Sequence, residues 1–463
     1  MSRKKVDVTP FDRDRVPPKQ NIFFTPLIWM VCKVATLRHR LKINKKGMEG
    51  LKPPFLVLAN HLSFTDFYAT PLAMFPFRTN FVSELEGFQV FGEWLYRQIG
   101  CLGTRKYRND LALIRNIQRV IKRGGVLVLF PEARYSNVGT SSPLPQSVGK
   151  LAKLLKVPVV TLNFKGNYLK SPVWNTEQRN GIPLEADLTR IFTVEELKSA
   201  SVDEVNEKIG KFLEYDEYAL QKEKGLEIDN PKRAEGLENV LYKCPACLVE
   251  QGLKTKGKKI FCVCCGEAWE MTKLGQLEHK KGYRTENTRR SKSAKEAKAE
   301  FYRTQVIEAA MKMADTLEAS RLEAHQRLDF TGLVHIPDWY EWQRERVKDE
   351  VDGRRYFADI AVQVESLPNA VNFIDLGEGR LRQDSSGFHL LYTPFGEKAQ
   401  REMYWPPESC FSVHTEYNYR NKGCCIVLSV EDDSFFLFPL EIEMNVTKMQ
   451  MAAEYMYELS GGK

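Results

Sequence analysis

The stretch Phe55-Leu56-Val57-Leu58-Ala59-Asn60-His61-Leu62-Ser63-Phe64-Thr65-Asp66 decides how this chain reads. Five consecutive apolar residues without alternation predict a strand buried on both faces, the pattern of a parallel sheet covered by helices. The polar run that follows places His61 at the strand's C-terminal end, where α/β domains expose groups to a cleft. Ser63 or Thr65 is positioned to cap the helix beyond it. An Asp five residues after a His, across such a turn, can accept the imidazole's Nδ1 proton and leave Nε2 free as a general base. No Ser or Cys stands beside the pair in a fixed motif, so such a base would act on a hydroxyl carried by the substrate. Taken alone, the two residues also suit a structural histidine.

Working outward, Leu111 to Lys122 has helical spacing, and Val126 to Phe130 after Gly124-Gly125 has a buried-strand pattern. Ser147 to Leu155 then reads as a helix and Val157 to Phe164 as a strand, which gives residues 51–220 an α/β fold with a mixed, largely parallel sheet. Three further segments fall at the ends of these elements. Gly100-Cys101-Leu102-Gly103-Thr104-Arg105 leads into Lys106 and Arg108, a cluster suited to cradling a phosphate. Phe130-Pro131-Glu132-Ala133-Arg134-Tyr135-Ser136 sets an acid, an Arg and hydroxyls after a strand, and Val157-Pro158-Val159-Val160 opens the next one.

In this order the segments resemble the blocks of the glycerophospholipid acyltransferase superfamily, specifically its 1-acyl-glycerol-3-phosphate acyltransferases: Asn-His-x4-Asp, Gly-x4-Arg, Phe-Pro-Glu-Gly-Thr-Arg-Ser and a Val-Pro-Val type. Lys46-Gly47-Met48-Glu49-Gly50-Leu51 resembles the usual lead-in to the first block, and the likeness covers residues 20 to 215. It implies His61 as general base, Asp66 as its orienting partner, Arg105 as a phosphate contact and Glu132 as part of the acyl-acceptor site. The third block departs from the pattern, with Ala133, Arg134 and Tyr135 where the family has Gly, Thr and Arg, so the guanidinium sits one place early. Arg134 is either a substrate contact or an ion pair with Glu132. The implied reaction moves an acyl group from acyl-CoA, acyl carrier protein or acyl phosphate to a lysophospholipid, lysophosphatidic acid first among them, in phospholipid biosynthesis.

The 463 residues carry a net charge of +8, with twelve Lys and Arg against four acids in the first fifty. That arm encloses the apolar run Ile22 to Cys32, too short to span a bilayer, which needs about 20 apolar residues. Residues 1–50 are therefore expected to be a basic amphipathic segment docking on a membrane surface, with Trp29 at headgroup depth and Arg38, Arg40 and Lys42 toward phosphates. The expected location is the cytoplasmic face of a membrane, peripheral or monotopic.

Cys244-Pro245-Ala246-Cys247 and Cys262-Val263-Cys264-Cys265-Gly266 form two C-x2-C pairs fourteen residues apart, the spacing of a structural zinc ribbon over residues 235–280. Cys244, Cys247, Cys262 and Cys265 are the expected ligands and Cys264 the spare; a dense cluster of this kind argues for a reducing compartment. Residues 285–330 carry Val306, Ala310, Met313 and Leu317 at helical spacing within a charged stretch, and predict a long helix. Residues 331–463 predict a β-rich domain, with turns at Gly377-Glu378-Gly379 and Asp384-Ser385-Ser386-Gly387 and a closing helix from Thr447 to Leu459; that order would suit a pleckstrin-homology-like sandwich. Trp339, Tyr340 and Trp342 are assigned to packing.

Two other readings compete. A zinc-ribbon protein could hold nucleic acid through its basic stretches, but the ribbon has Lys254, Lys256, Lys258 and Lys259 with little interleaved aromatic surface, and nucleic acid is not the expected partner. A degenerate homologue that binds lipid without turnover is the other.

Overall fold

The structure is a computed structural model that describes residues 9–107, 110–175, 177, 179–280, 332–394, 397–440 and 445–461. The helix expected within 285–330, like Arg108, lies outside them.

The unbroken apolar run Phe55 to Ala59 is a strand with every residue buried, and it becomes the centre of a seven-stranded sheet. The strands are β1 (Lys42–Lys46), β2 (Phe55–Ala59), β3 (Thr79–Glu84), β4 (Cys101–Thr104), β5 (Val126–Leu129), β6 (Val159–Lys165) and β7 (Glu185–Phe192), in the spatial order β1-β7-β6-β2-β5-β3-β4. The five strands from β6 to β4 are parallel; β7 pairs antiparallel with β6 and parallel with β1. The helices Leu111–Lys122 and Ser147–Leu155 fall where their spacing places them. One apolar cluster, built from Leu56, Leu58, Ile117, Val120, Leu151, Val159 and Val205 among others, fills one face of the sheet. Because β1 belongs to this sheet, the expected N-terminal segment hands over to the α/β fold before residue 50.

That segment is also less free than its charge suggests. Phe11 is buried, its N–H donates to the Pro368 carbonyl at 3.0 Å, and Arg13 pairs with Glu431 at 2.9 Å. The part that stands out is the helix Thr25–Thr36, in which only Cys32 and Thr36 are buried.

The cysteine-rich module is a four-stranded antiparallel meander, β8 (Leu253–Lys256), β9 (Lys259–Cys262), β10 (Ala268–Met271) and β11 (Leu277–Lys280). Beyond it the helix Ile336–Asp352 carries Trp339 and Tyr340, both buried, with Trp339 edge-on to Trp269 of β10 at 4.9 Å. A second seven-stranded sheet follows: β12 (Ala358–Ser366), β13 (Ile374–Asp384), β14 (Gly387–Tyr392), β15 (Arg401–Trp405), β16 (His414–Glu416), β17 (Cys425–Ser429) and β18 (Ser434–Pro439). All its pairings are antiparallel, in the order β15-β14-β13-β12-β18-β17-β16, and the helix Val446–Leu459 packs its apolar side into the interior. Antiparallel strands followed by one closing helix is the element order expected from the sequence, and the structure sets the number of strands in the sheet at seven.

Gly377-Glu378-Gly379 is not a turn, because β13 runs straight through it. The two glycines have different reasons: Gly377 takes a φ of 89° where the β12–β13 register slips at Val364/Glu365, and a Cβ on Gly379 would stand 2.8 Å from the Leu391 carbonyl oxygen. The Asp384 to Gly387 turn is present and closes the β13–β14 hairpin.

The modules are not beads on a string. One continuous core joins Phe55 and Val57 of β2, Trp269 of the meander, Trp339 of the long helix, Phe436 of β18 and Met456 of the last helix. The second sheet is thereby fixed against the first, at the side where the strand ends carry polar residues.

Candidate active site

Three adjacent parallel strands, β6, β2 and β5, end at the same edge of the first sheet, so the loops that follow them converge. Asn60 ties two of these ends together: its Oδ1 accepts from Phe164 N–H at 2.7 Å and its Nδ2 donates to the Phe164 carbonyl at 3.0 Å. The next residue is His61.

His61 Nδ1 lies 3.0 Å from Asp66 Oδ2. That oxygen also accepts from the Leu62 and Ser63 N–H groups at 2.6 and 3.2 Å, while Asp66 Oδ1 accepts from Asn167 Nδ2 at 2.6 Å. Asp66 is fully buried at the first turn of the helix Thr65–Met74, and Ser63 Oγ accepts from Thr65 N–H at that helix's start. Three donors besides the imidazole point at this side chain, so Asp66 Oδ2 serves as the acceptor for Nδ1–H and Nε2 is the basic nitrogen. Burial holds the His61 imidazole below its usual pKa, against the opposing pull of Asp66. The ring is stacked on Phe130 at 4.2 Å and tilted against Tyr135 at 4.3 Å, which keeps it in one orientation and largely dry.

Glu132 reaches the same centre by its carboxylate. Oε1 accepts from the His61 N–H at 3.0 Å, and Oε2 accepts from Ser142 N–H at 3.0 Å and from the Tyr215 hydroxyl at 2.9 Å. Burial pushes its pKa up to about 7. In this arrangement Glu132 holds the His61 loop in place. A cleft of about 780 Å³ opens on Glu132 between Leu144, Val148, Ile209 and Leu213, but His61 is not on its wall.

The two arginines stand elsewhere. Arg105 is buried, and its guanidinium donates from Nη1 to the Leu367 carbonyl and Ser434 Oγ and from Nη2 to the Pro368 and Asp432 carbonyls, at 2.8 to 2.9 Å. All four acceptors belong to the second sheet and its turns, so the donors expected to meet a phosphate are already engaged. Arg134 pairs with Glu454 of the last helix at 2.5 Å rather than with Glu132.

Lys106 is the remaining cation of that block among the described residues, and its Nζ sits 2.7 Å from Glu84 and 3.0 Å from His414 Nε2. Glu84, Glu86, His414 and Glu416 form a tight group of metal-type ligand atoms, with the Lys106 ammonium as its counter-charge. Asn167, Phe130, Tyr135, Tyr215 and Glu454 were not singled out by spacing as members of one site. Asn167 follows the end of β6 beside β2, and that position is the one signal that could have marked it.

The four expected zinc ligands do converge. Cys244 Sγ lies 3.7 Å from Cys265 Sγ, Cys247 Sγ lies 3.7 Å from Cys262 Sγ, and all four sulfurs are within 4.8 Å of one another. Thiolates at about 2.3 Å from a tetrahedral zinc stand about 3.8 Å apart, so the sulfur cage fits that ion. Two matching turns build it, with Leu248 N–H donating to the Cys244 carbonyl and Gly266 N–H to the Cys262 carbonyl. Gly266 and Leu248 both take positive φ there. Cys264 is exposed and stands outside the group.

Among known families, the model described as Acyltransferase matches residues 42–165, which span the His61–Asp66 pair, Arg105, Glu132 and Arg134. Among solved structures, the chain is similar to the 1-acyl-sn-glycerophosphate (LPA) acyltransferase PlsC from Thermotoga maritima at 19% identity. That likeness covers 41% of this chain and 79% of that one, with a TM-score of 0.32. No curated protein matches.

Proposed function

We propose that this protein, whose residues 42–165 match the Acyltransferase family, is a glycerophospholipid acyltransferase that esterifies the free hydroxyl of a lysophospholipid, with lysophosphatidic acid as the first acceptor to test. The observation that carries the reading is the His61–Asp66 pair at 3.0 Å, with no Ser or Cys of the described residues hydrogen-bonded to Nε2 and the Asp66 side chain fixed by three further donors. With a thioester donor such as acyl-CoA or acyl carrier protein, the acceptor hydroxyl oxygen attacks the acyl carbonyl carbon while Nε2 takes its proton. The carbon–sulfur bond then breaks and the imidazolium returns the proton to the leaving thiolate. With an acyl phosphate the leaving group is phosphate. An imidazole held below its usual pKa is neutral and ready to accept at neutral pH.

The acceptor and the products are membrane lipids under this reading, and one surface suits that. No helix among the described residues is long and apolar enough to cross a membrane. The helix Thr25–Thr36 and its flanks nevertheless expose Phe23, Leu27, Met30, Val31, Val34 and Leu37, with Phe23 at 87% and Val34 at 68% of full exposure. Val90, Phe91 and Trp94 are exposed as well, and Phe24 meets Trp94 ring to ring at 5.9 Å, so the apolar patch continues from one helix to the next. Exposed Lys33 lies in the last turn of the same helix, and exposed Arg38, Arg40 and Lys42 follow it. A patch of this kind with basic flanks is suited to peripheral docking on an anionic leaflet, the cytoplasmic face in the proposed setting.

The sulfur cage would hold structural zinc through Cys244, Cys247, Cys262 and Cys265. Four thiolates leave no open position, so the ion would stabilise the meander and take no part in acyl transfer.

The deciding experiment incubates the full-length protein with lysophosphatidic acid or other lysophospholipids and oleoyl-CoA or oleoyl-acyl carrier protein, with mass-spectrometric detection of diacyl product. Product from wild type and none from a folded His61→Ala variant is the expected result. Turnover by that variant would remove His61 from the mechanism, and lipid binding without turnover by either protein would make the chain a non-catalytic relative.

A further inference from the structure

The segment that departs from the acyltransferase pattern is the one on which the two sheets pull in opposite directions. Glu132 and Ser136 stay on the acyltransferase side: the first accepts from His61 N–H, and the N–H of the second donates to the His61 carbonyl at 2.8 Å. Arg134 and Asn137 leave for the C-terminal side. Arg134 Nη1 donates to Glu454 Oε1 at 2.5 Å and to Ser412 Oγ at 3.2 Å, and Asn137 Nδ2 donates to Gln450 Oε1 at 2.8 Å and the Tyr340 hydroxyl at 3.2 Å. Glu454 is itself held, accepting from Ser412 Oγ at 2.7 Å and from Arg344 Nη1 at 2.7 Å. Between the two anchorages sits Tyr135, its ring 4.3 Å from the imidazole, and Ala133 takes a φ of 55°, a left-handed conformation that a non-glycine residue adopts only when its surroundings enforce it.

We infer that Glu454 is a positioning residue of the active site: by gripping Arg134 it holds Tyr135 against His61, so the C-terminal domain completes a site whose reacting groups lie in the acyltransferase domain. The displaced guanidinium of the third block thus serves as an anchor between domains, and the place it vacates is filled by a phenol that packs on the base. Arg134 and Glu454 are both more than nine-tenths buried as side chains, so neither can release the other into water without moving the backbone that carries Tyr135. The site-side consequence is dryness. His61 is faced by Asp66 from the first turn of the helix after its loop, by Glu84 and Lys106 from the ends of β3 and β4, and by Tyr135 from the loop after β5; burial is the leading cause of its lowered pKa. Withdrawing the phenol admits water to the imidazole and lets it protonate at higher pH.

The test follows the His61 imidazole by NMR on the full-length protein with isotopically labelled histidine, its signal assigned with His61→Ala, across a pH titration. Tyr135→Ala should move the His61 midpoint upward, Arg134→Met and Glu454→Gln should move it the same way, and Arg134→Lys should restore it. Tyr135→Ala combined with Arg134→Met should shift it no further than Tyr135→Ala alone, because both act on one contact. Arg134→Met leaves Glu454 with Arg344 and Ser412, so it keeps the question answerable where Glu454→Gln does not fold. A midpoint that stays at the wild-type value in folded Arg134→Met overturns the inference, as does an additive shift in the double variant. Only the activity arm rests on the acyl-transfer reading: there kcat should fall by about tenfold or more at unchanged KM, as for a base displaced by a fraction of an ångström. Wild type without turnover, but with the NMR shifts intact, would remove that reading and leave the positioning role standing.

Discussion

Arg105 Nη1 and the Leu367 carbonyl are 262 residues apart in sequence and 2.9 Å apart in the fold. With Ser434, Pro368 and Asp432 they make a four-bond clasp between the end of β4 and the turns of the second sheet. Arg105→Met should therefore behave as a stability variant. Hydrogen bonds from a charged donor are worth about 1.5 to 3 kcal/mol each, so a loss of roughly 3 to 5 kcal/mol in urea unfolding is expected, with the acceptor KM unchanged. A folded variant of unaltered stability whose KM for lysophosphatidic acid rises severalfold would return Arg105 to the acceptor site.

Asp66 differs from Arg105 in that its partners are the base and the loop that presents it. Asp66→Asn would supply a donor where Nδ1 needs an acceptor and favour the wrong tautomer, so kcat should fall by about 10² to 10⁴ with the fold retained. Asn167→Ala removes only one of the donors to Asp66, and its loss in kcat should be the smaller of the two. Steady-state kinetics at saturating donor separate these outcomes; a larger loss in Asn167→Ala would mean that the asparagine meets substrate itself.

These contrasts mark what the sequence could disclose. His61 and Asp66 are legible because strand, turn and helix start fall within twelve residues, and their geometry is settled by local spacing. The thiols of Cys244 and Cys265 are legible for a similar reason, since two tight turns impose the cage. Arg105 reads as a phosphate contact, and Arg134 as either a substrate contact or a partner of Glu132, because a guanidinium in an α/β loop is uncommitted until its partner is known. Those partners, Leu367 and Glu454, belong to a β-domain whose docking no local pattern encodes. Gly377 and Gly379 misled for the opposite reason: glycine marks a positive-φ bulge or a close backbone approach within a strand as well as a turn, and a one-dimensional pattern does not separate these.

The Arg134–Glu454 pair also sets a pH signature. The two arginines hold the Glu454 carboxyl down to about 2 from an ordinary 4.5, although burial opposes them. A depressed folded pKa adds stability that is present above 4.5 and lost as pH falls from there toward 2, about 3 kcal/mol in full. Glu132 works the other way, because its pKa is raised to about 7: it favours the neutral form, so its contribution falls as pH rises from 4.5 through 7. Thermal unfolding of wild type against Glu454→Gln should show a gap at pH 6 that narrows steadily below pH 4.5. A gap independent of pH would mean that the carboxylate charge is not what holds the two domains.

The exposed apolar helix makes a separate claim about location. Leu27→Ser, Val31→Ser and Val34→Ser together remove apolar side chains that touch solvent, so folding stability should change little while affinity for lipid falls. Co-sedimentation with vesicles of phosphatidylglycerol and phosphatidylcholine should capture wild type, release it progressively as salt rises, and fail to capture the triple variant. Equal capture of both proteins would move the docking surface away from this helix.

The zinc proposal yields the sharpest stoichiometry. Elemental analysis of the purified protein should find one zinc per chain, absent from Cys244→Ser/Cys247→Ser and retained in Cys264→Ser, since Cys264 stands outside the sulfur group. The meander shares its core with both sheets through Trp269 and Trp339, so loss of the ion should be felt beyond the module. Binding energy for a four-thiolate site is about 10 to 16 kcal/mol and is folding energy wherever the unfolded chain holds no metal. Chelation should accordingly lower the unfolding temperature of the whole protein, with activity lost only as far as the fold is lost. Activity that vanishes on chelation while circular dichroism and unfolding temperature stay unchanged would place the metal in the chemistry and contradict a closed structural site.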